Sequence, residues 1–308
     1  MTCIVKWNSL NFCEWKQRFK TIRRSSVLQN YAYAQSMAQT KGQKPRWGLI
    51  EIDGQEAGLV QILEVSLCFK AIHAVILDRG PLWFEGFGDE AHIEAFFTAF
   101  NRQFLKRWGR KRRVIPESDI DLSALGYERV GNPYETIWLD LTQSEQALRD
   151  DLKKNWRGTL QKAENSGLII EWDNKGHHLD WLLAEYERDK DSKGYEGASV
   201  ELLRTLAQYH LSSDEMLIGR ARIGTKAIAG IMLFLHGSAA TYQIGVNSKE
   251  GRDCGAHHML LWQALGVLKF RQIKDFDLGG INDETAKGVK AFKSGMGGQS
   301  VTIGALYS

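Results

Sequence analysis

Asp277 closes an apolar run and is followed by Leu278 and then by the pair Gly279-Gly280. A carboxylate at such a strand end can orient a substrate amine or hold a backbone loop, and the glycines let a ligand approach the main chain closely. Tyr242 lies in an alternating run with Ile244 and Val246. Its phenol can hydrogen-bond a substrate or shuttle a proton, and the same alternation suits a core aromatic. His236, His257 and His258 invite a catalytic reading. Neighbouring helix residues do not share a face, however, and no Ser/His/Asp order or zinc spacing accompanies them, so they read as structural. Cys3, Cys13, Cys68 and Cys254 show no CxxC or Cys/His spacing, so neither a metal centre nor a disulfide framework is expected. A basic run, Arg107, Arg110, Lys111, Arg112 and Arg113, can meet nucleic-acid phosphates or can simply be a solvated helix end.

The elements that must position these groups follow from composition and pattern. With 308 residues, 43% hydrophobic and 25% charged, the chain reads as globular and long enough for two cores. The net charge of +3 is too small to demand a polyanionic partner. No apolar stretch is long enough for a membrane-spanning helix, and the N-terminus has no signal-like pattern, so a cytoplasmic location is expected. Trp47 to Ile52, the Asp53-Gly54 turn and Ala57 to Val65 predict a hairpin. A strand over Ala74 to Leu77 and an amphipathic helix from about Asp89 to Trp108 follow. Thr142 and Glu145 form a capping-box pattern that opens a helix running through Trp156. The order then returns: a strand at Leu168 to Trp172, two helices, a hairpin around Gly224-Thr225, a strand at Ala240 to Val246, a helix over Ala256 to Phe270 and a strand at Asp275 to Leu278. This repeated order suggests a weak internal duplication, and a cleft between two halves is the default ligand site.

Four segments carry a resemblance. Tyr242-Gln-Ile-Gly-Val-Asn247, Gly255 to Trp262, Phe276-Asp-Leu-Gly-Gly-Ile281 and Ala291-Phe-Lys-Ser-Gly-Met-Gly-Gly298 follow one another in the order of the C-terminal signature of the Fem aminoacyltransferases. Asp151 to Glu164 is similar to the basic helix that starts the family's second domain, and Val27 to Tyr31 and Leu77 to Pro81 are similar to first-domain segments. The resemblance implies an α/β (α+β) fold of tandem GNAT-like, that is acyl-CoA N-acyltransferase-like, domains without a coiled-coil arm. They would span 1–140 and 141–308, with the last residues returning to the first domain. The implied activity is transfer of an amino acid from aminoacyl-tRNA to an amine of a peptidoglycan-precursor-like peptide, without a cofactor or metal. The implied partners are aminoacyl-tRNA, a cell-wall precursor peptide or glycan, and a membrane surface touched peripherally.

The resemblance also assigns roles. Lys293 matches the family's acceptor-channel lysine, where a cation stabilises the oxyanion formed when an amine attacks an ester; the bland alternative is a solvated glycine-rich loop. Tyr242 joins it as a catalytic candidate. Phe292 offers a stacking face to the terminal adenine or ribose, or is a core ring. Asp277, Gly279, Gly280, Arg79 and Tyr195 are the remaining substrate-binding candidates. Tyr33, Met37 and Ser192 stand where the family has a tryptophan and two basic residues, which points away from a UDP-linked acceptor. Two alternatives stay open. Arg252-Asp-Cys-Gly255-Ala-His257 follows the Gln/Arg-x-x-Gly-x-Gly/Ala pattern of a CoA-binding helix start until its last position, which fits an acyl-CoA-dependent N-acyltransferase acting on a cell-surface polysaccharide or amino sugar. A non-catalytic nucleotide- or glycan-binding module is the other.

Overall fold

The structure, a computed structural model, describes residues 1–67, 72–281 and 287–308; Cys68 lies outside the described residues. The chain divides into two compact units, one of residues 1–135 with 302–308 and one of residues 136–301.

The first unit runs β1 (Cys3–Trp7), α1 (Phe12–Phe19), α2 (Tyr31–Lys41), β2 (Lys44–Ile52), β3 (Gln55–Leu67), β4 (Ile72–Asp78), β5 (Leu82–Trp83), α3 (Glu90–Gln103) and β6 (Arg110–Ile115). Its sheet is ordered β1-β2-β3-β4-β6, with β5 against β3. The expected hairpin is β2 and β3, turned at Asp53 (φ 47°) and Gly54 (φ 83°), the doubly left-handed geometry that matches strand twist. Asp89 caps α3 by accepting from His92 N (2.9 Å), and Ile93, Phe96, Phe97 and Phe100 are buried beneath the helix. Burying each such ring contributes about 1.5–3 kcal/mol. The helix does not reach Trp108. Phe104 adopts a non-helical conformation (φ −119°, ψ 58°) and is buried against Trp7 and Phe100, and the chain enters β6 at Arg110.

The last residues complete this unit. Val114 and Tyr307 exchange both backbone hydrogen bonds (2.9 and 2.8 Å), the Tyr307 hydroxyl donates to Ile120 O (2.9 Å), and Ala305 and Tyr307 belong to the core.

The elements that follow are β7 (Tyr134–Asp140), α4 (Glu145–Asp150), α5 (Lys154–Glu164), β8 (Ile169–Asp173), α6 (Leu179–Lys193), α7 (Val200–Leu211), β9 (Met216–Ile223), β10 (Lys226–His236), β11 (Ala239–Asn247), α8 (Lys249–Cys254), α9 (Ala256–Phe270), β12 (Asp275–Asp277), α10 (Lys287–Ser294) and β13 (Gln299–Ile303). Their sheet is ordered β13-β7-β12-β11-β10-β9-β8. Helix α9 packs Leu260, Leu261, Ala264 and Leu268 into the core.

One helix was expected from Thr142 through Trp156, and two are found. Ser144, rather than Thr142, is the cap, accepting from Ala147 N (3.1 Å), while the Thr142 hydroxyl is spent on Asp140 (2.6 Å). The break between α4 and α5 exists because Lys153 N donates to Gly295 O (2.9 Å), so the residues after α10 occupy the gap. No described helix is long and apolar enough to cross a membrane.

Candidate active site

Strands β11 and β12 run parallel for three pairs, Ala239 with Asp275, Ala240 with Phe276 and Thr241 with Asp277. Beyond these β12 ends and β11 continues to Asn247. Opposite Met232 and Leu233 the pairing jumps from Ile244 to Tyr242, leaving Gln243 as a bulge that bends β11 as it passes this point. The two strands therefore form a fork, and Tyr242, Asp277, Gly279, Gly280 and Lys293 gather at it.

Asp277 is buried (1% exposed) at the tip of β12. Its carboxylate accepts from Gly279 N (2.8 Å) and from the Thr136 hydroxyl, so it fixes the turn that follows. Gly279 has φ 72°, and a Cβ there would lie 3.3 Å from Tyr242 O and 3.5 Å from Lys293 Nζ. The turn aims the Gly280 carbonyl at Lys293, whose Nζ donates to it (2.9 Å). That ammonium also lies 5.6 Å from the centre of the Tyr242 ring.

Lys293 is not on a solvated loop. It sits on the last turn of α10, 8% exposed. Burial lowers its pKa to about 8, an effect the nearby Asp277 carboxylate partly offsets. The glycines behind it serve packing: a Cβ on Gly295 would lie 2.5 Å from Trp156 Cδ1.

Tyr242 folds back along its own strand, since a Cβ on Gly245 would fall 2.0 Å from the phenol oxygen. Burial, and then the neighbouring Tyr195, push its pKa up, so the phenol stays protonated and can act as a donor. Tyr195 stands 6.4 Å from the Tyr186 ring and directs its hydroxyl toward Asp189 (3.4 Å); burial and then Asp189 raise its pKa as well. Phe292, next to Lys293 on α10, is half-buried among Trp156 (6.2 Å between ring centres), His257 (6.1 Å) and His258 (4.9 Å).

His257 and His258 diverge around α9, as adjacent helix residues do. Phe292 sits between their directions and meets both. His257 donates from Nε2 to Val246 O (2.9 Å), and burial depresses both imidazoles to about 4, leaving them neutral near pH 7. Trp156 Nε1 is buried with no hydrogen-bond partner among the described residues. The sequence signal for this cluster was the His257-His258 pair directly after the Gly255 helix start. Among the described residues no group of His, Cys, Asp or Glu could hold a metal ion.

Arg79 belongs to the first unit. It is buried at φ 56°, and its guanidinium grips Glu117 through two hydrogen bonds (both 2.8 Å) and lies 5.6 Å from the Tyr134 ring centre.

The CoA-type motif can be tested on geometry. Gly255 begins α9 at φ 77°, but a Cβ there would lie 2.9 Å from Thr159 Cγ2 and 3.0 Å from Thr159 O, so its smallness serves contact with α5. Arg252 donates to Asn247 O (2.6 Å), and Lys162 on α5 closes the same side by donating to Asp253 O (2.7 Å). These residues fit a packed helix start better than a pyrophosphate cradle.

Against known proteins, residues 150–294 match the model of an acetyltransferase (GNAT) domain. No curated protein matches the sequence. Among solved structures the fold is similar to that of FemX (TM-score 0.79, 13% identity, covering 98% of this chain and 96% of that one). It is also similar to the C-terminal domain of a putative lysylphosphatidylglycerol synthetase from Agrobacterium fabrum (0.54, 15%, 96% and 92%) and to a tandem GNAT protein from the clavulanic acid biosynthesis pathway (0.54, 11%, 99% and 98%). The chain thus has a tandem GNAT-like fold, similar to these structures, and its second unit carries the sequence match to an acetyltransferase domain, which together support an acyltransferase.

Proposed function

We propose that the chain is an aminoacyltransferase that moves an amino acid from aminoacyl-tRNA to an amine of a peptidoglycan-precursor-like peptide. The observation that carries this reading is the Lys293 ammonium, buried where β11 and β12 part and held by Gly280 O. The ester of an aminoacyl-tRNA is already activated, so holding amine and carbonyl together supplies much of the rate. The amine nitrogen attacks the ester carbon, and the carbonyl oxygen takes up the electron pair as an oxyanion. Lys293 lies ready to meet that charge, with N–H donors beyond the one spent on Gly280 O, in surroundings dry enough to strengthen the attraction. Collapse expels the ribose oxygen, which leaves with the proton lost by the attacking nitrogen. The protonated Tyr242 phenol is a candidate for relaying it. Asp277 holds the Gly279-Gly280 turn, and the Phe292 cluster walls the site.

The acetyltransferase-domain match favours a second reading, an acyl-CoA-dependent N-acyltransferase acting on a cell-surface polysaccharide or amino sugar. The contact of Gly255 with Thr159 weighs against it. Label transfer from a mixed aminoacyl-tRNA pool, with and without RNase, beside labelled acetyl-CoA, separates the two. RNase-sensitive incorporation into cell-wall precursors is expected. Incorporation from acetyl-CoA alone would overturn the reading.

A further inference from the structure

Trp108 is 91% exposed and Leu105 61% exposed, both on the short segment that joins α3 to β6 in the first unit. Two large apolar side chains bared within four residues of one segment make a local apolar patch, the kind of surface that marks an interaction site. The segment is built to hold them outward. Phe104, 3% exposed, anchors its start in the core. Arg110 N donates to Arg107 O (3.0 Å), which closes a tight turn around Trp108 and Gly109, and Gly109 (φ 76°) supplies the left-handed conformation that such a turn needs at its third residue. His73 N donates to Gly109 O (2.7 Å) and ties the turn to β4, while the His73 ring pairs with Glu64 (3.2 Å). Trp108 thus occupies the corner of a braced turn.

Its surroundings are cationic. No acidic residue occurs between Glu94 and Glu117, and Arg102, Lys106, Arg107 and Lys111 are exposed. The basic run noticed in the sequence is split by the alternation of β6. Arg112 turns inward over Tyr127 (4.4 Å) and Arg113 pairs with Asp78, whereas Lys111 faces solvent with the turn.

We propose that this turn docks the protein on an anionic phospholipid bilayer, Trp108 and Leu105 entering the interface while Lys106, Arg107 and Lys111 face the headgroups. Tryptophan settles at the water–lipid boundary, and basic residues next to it are attracted by anionic leaflets. RNA would use the cations and could stack on Trp108, but it has no comparable use for an aliphatic side chain presented at the same corner. The inference is independent of the donor in the transfer reaction, because it rests on the first unit alone.

The test is flotation of the full chain with vesicles of phosphatidylcholine alone and of phosphatidylcholine with phosphatidylglycerol, at low and high salt. Binding only to the anionic vesicles is expected. Lys106→Glu with Lys111→Glu should weaken it by more than about 25-fold, taking about fivefold for each neutralised cation. Leu105→Ser with Trp108→Ser should abolish the part of the binding that survives high salt. Both variants should melt like the parent, since the altered side chains are solvent-exposed. Equal binding by the parent and the Leu105/Trp108 variant would overturn the proposal. Failure to float with anionic vesicles would do so too, and if the chain instead bound total tRNA in a manner weakened by the same changes, the surface would be an RNA contact.

Discussion

In the first unit the parallel strands β4 and β6 stay paired from His73 with Arg110 to Asp78 with Ile115, and Arg79 N extends the ladder to Ile115 O (2.8 Å). The corresponding pair in the second unit, β11 and β12, holds for three residues and then opens. Each unit places cations near this point, but they are satisfied differently. Arg113 and Arg79 meet the carboxylates of Asp78 and Glu117, whereas Lys293 meets a carbonyl and a ring, with Asp277 near but committed to Thr136 and Gly279. A cation matched by a carboxylate holds structure together. One lodged in an opening against neutral groups keeps its charge available for chemistry.

Replacing the two cations tests that contrast most sharply. Lys293→Met should lower transfer about 100-fold or more, the scale for removing one oxyanion donor, without lowering the melting temperature, because an apolar isostere relieves the burial of charge. Arg79→Met should cost about 3 kcal/mol of stability, since Glu117 loses its partner. If Lys293→Met melted as early as Arg79→Met, the distinction would collapse. Next comes Gly279→Ala. A side chain at φ 72° costs about 1–2 kcal/mol and presses on Tyr242 O and Lys293 Nζ, so activity should fall about tenfold, in keeping with the penalty for small misplacements. A fully active variant would show that the turn need not hold Lys293 in place.

The pH profile sharpens the same point. With Lys293 lowered to about 8, the cation is lost as pH rises through that value, so transfer should decline there. Lys293→Arg should retain some activity and carry the decline above about pH 10, because a guanidinium does not deprotonate in that range. An unchanged alkaline limb in that variant would assign the titration to another group. The smallest effect concerns stability in acid. The unfolded chain takes up protons on His257 and His258 near 6.5, while the folded one resists until about 4, so stability should fall as pH drops from 6.5 to 4. His258→Phe should flatten that fall in a series of thermal melts, and an equally steep fall would place its origin elsewhere.

The two hairpins were legible because their turns are written in single dipeptides, Asp53-Gly54 and Gly224-Thr225, and α9 because its apolar stripe is continuous. The end of α3 was not, since a buried Phe104 overrides local helical preference. The break between α4 and α5 depends on Gly295, far along the chain, which no local pattern announces. For the site, the order of residues drew attention to Lys293, Tyr242 and Asp277, but the hydroxyl that fixes Asp277 comes from Thr136, 141 positions away. The meeting of Phe292 with both histidines likewise depends on the tertiary approach of α10 to α9.

The isolated bridge that Tyr307 makes with Val114 has a further consequence on the ribosome. The first unit emerges first, yet its core lacks Ala305 and Tyr307 until the whole second unit has been made. The segment translated earliest is therefore the last that can close, and until then Val114 offers an unfilled edge to chaperones or to a neighbouring nascent chain.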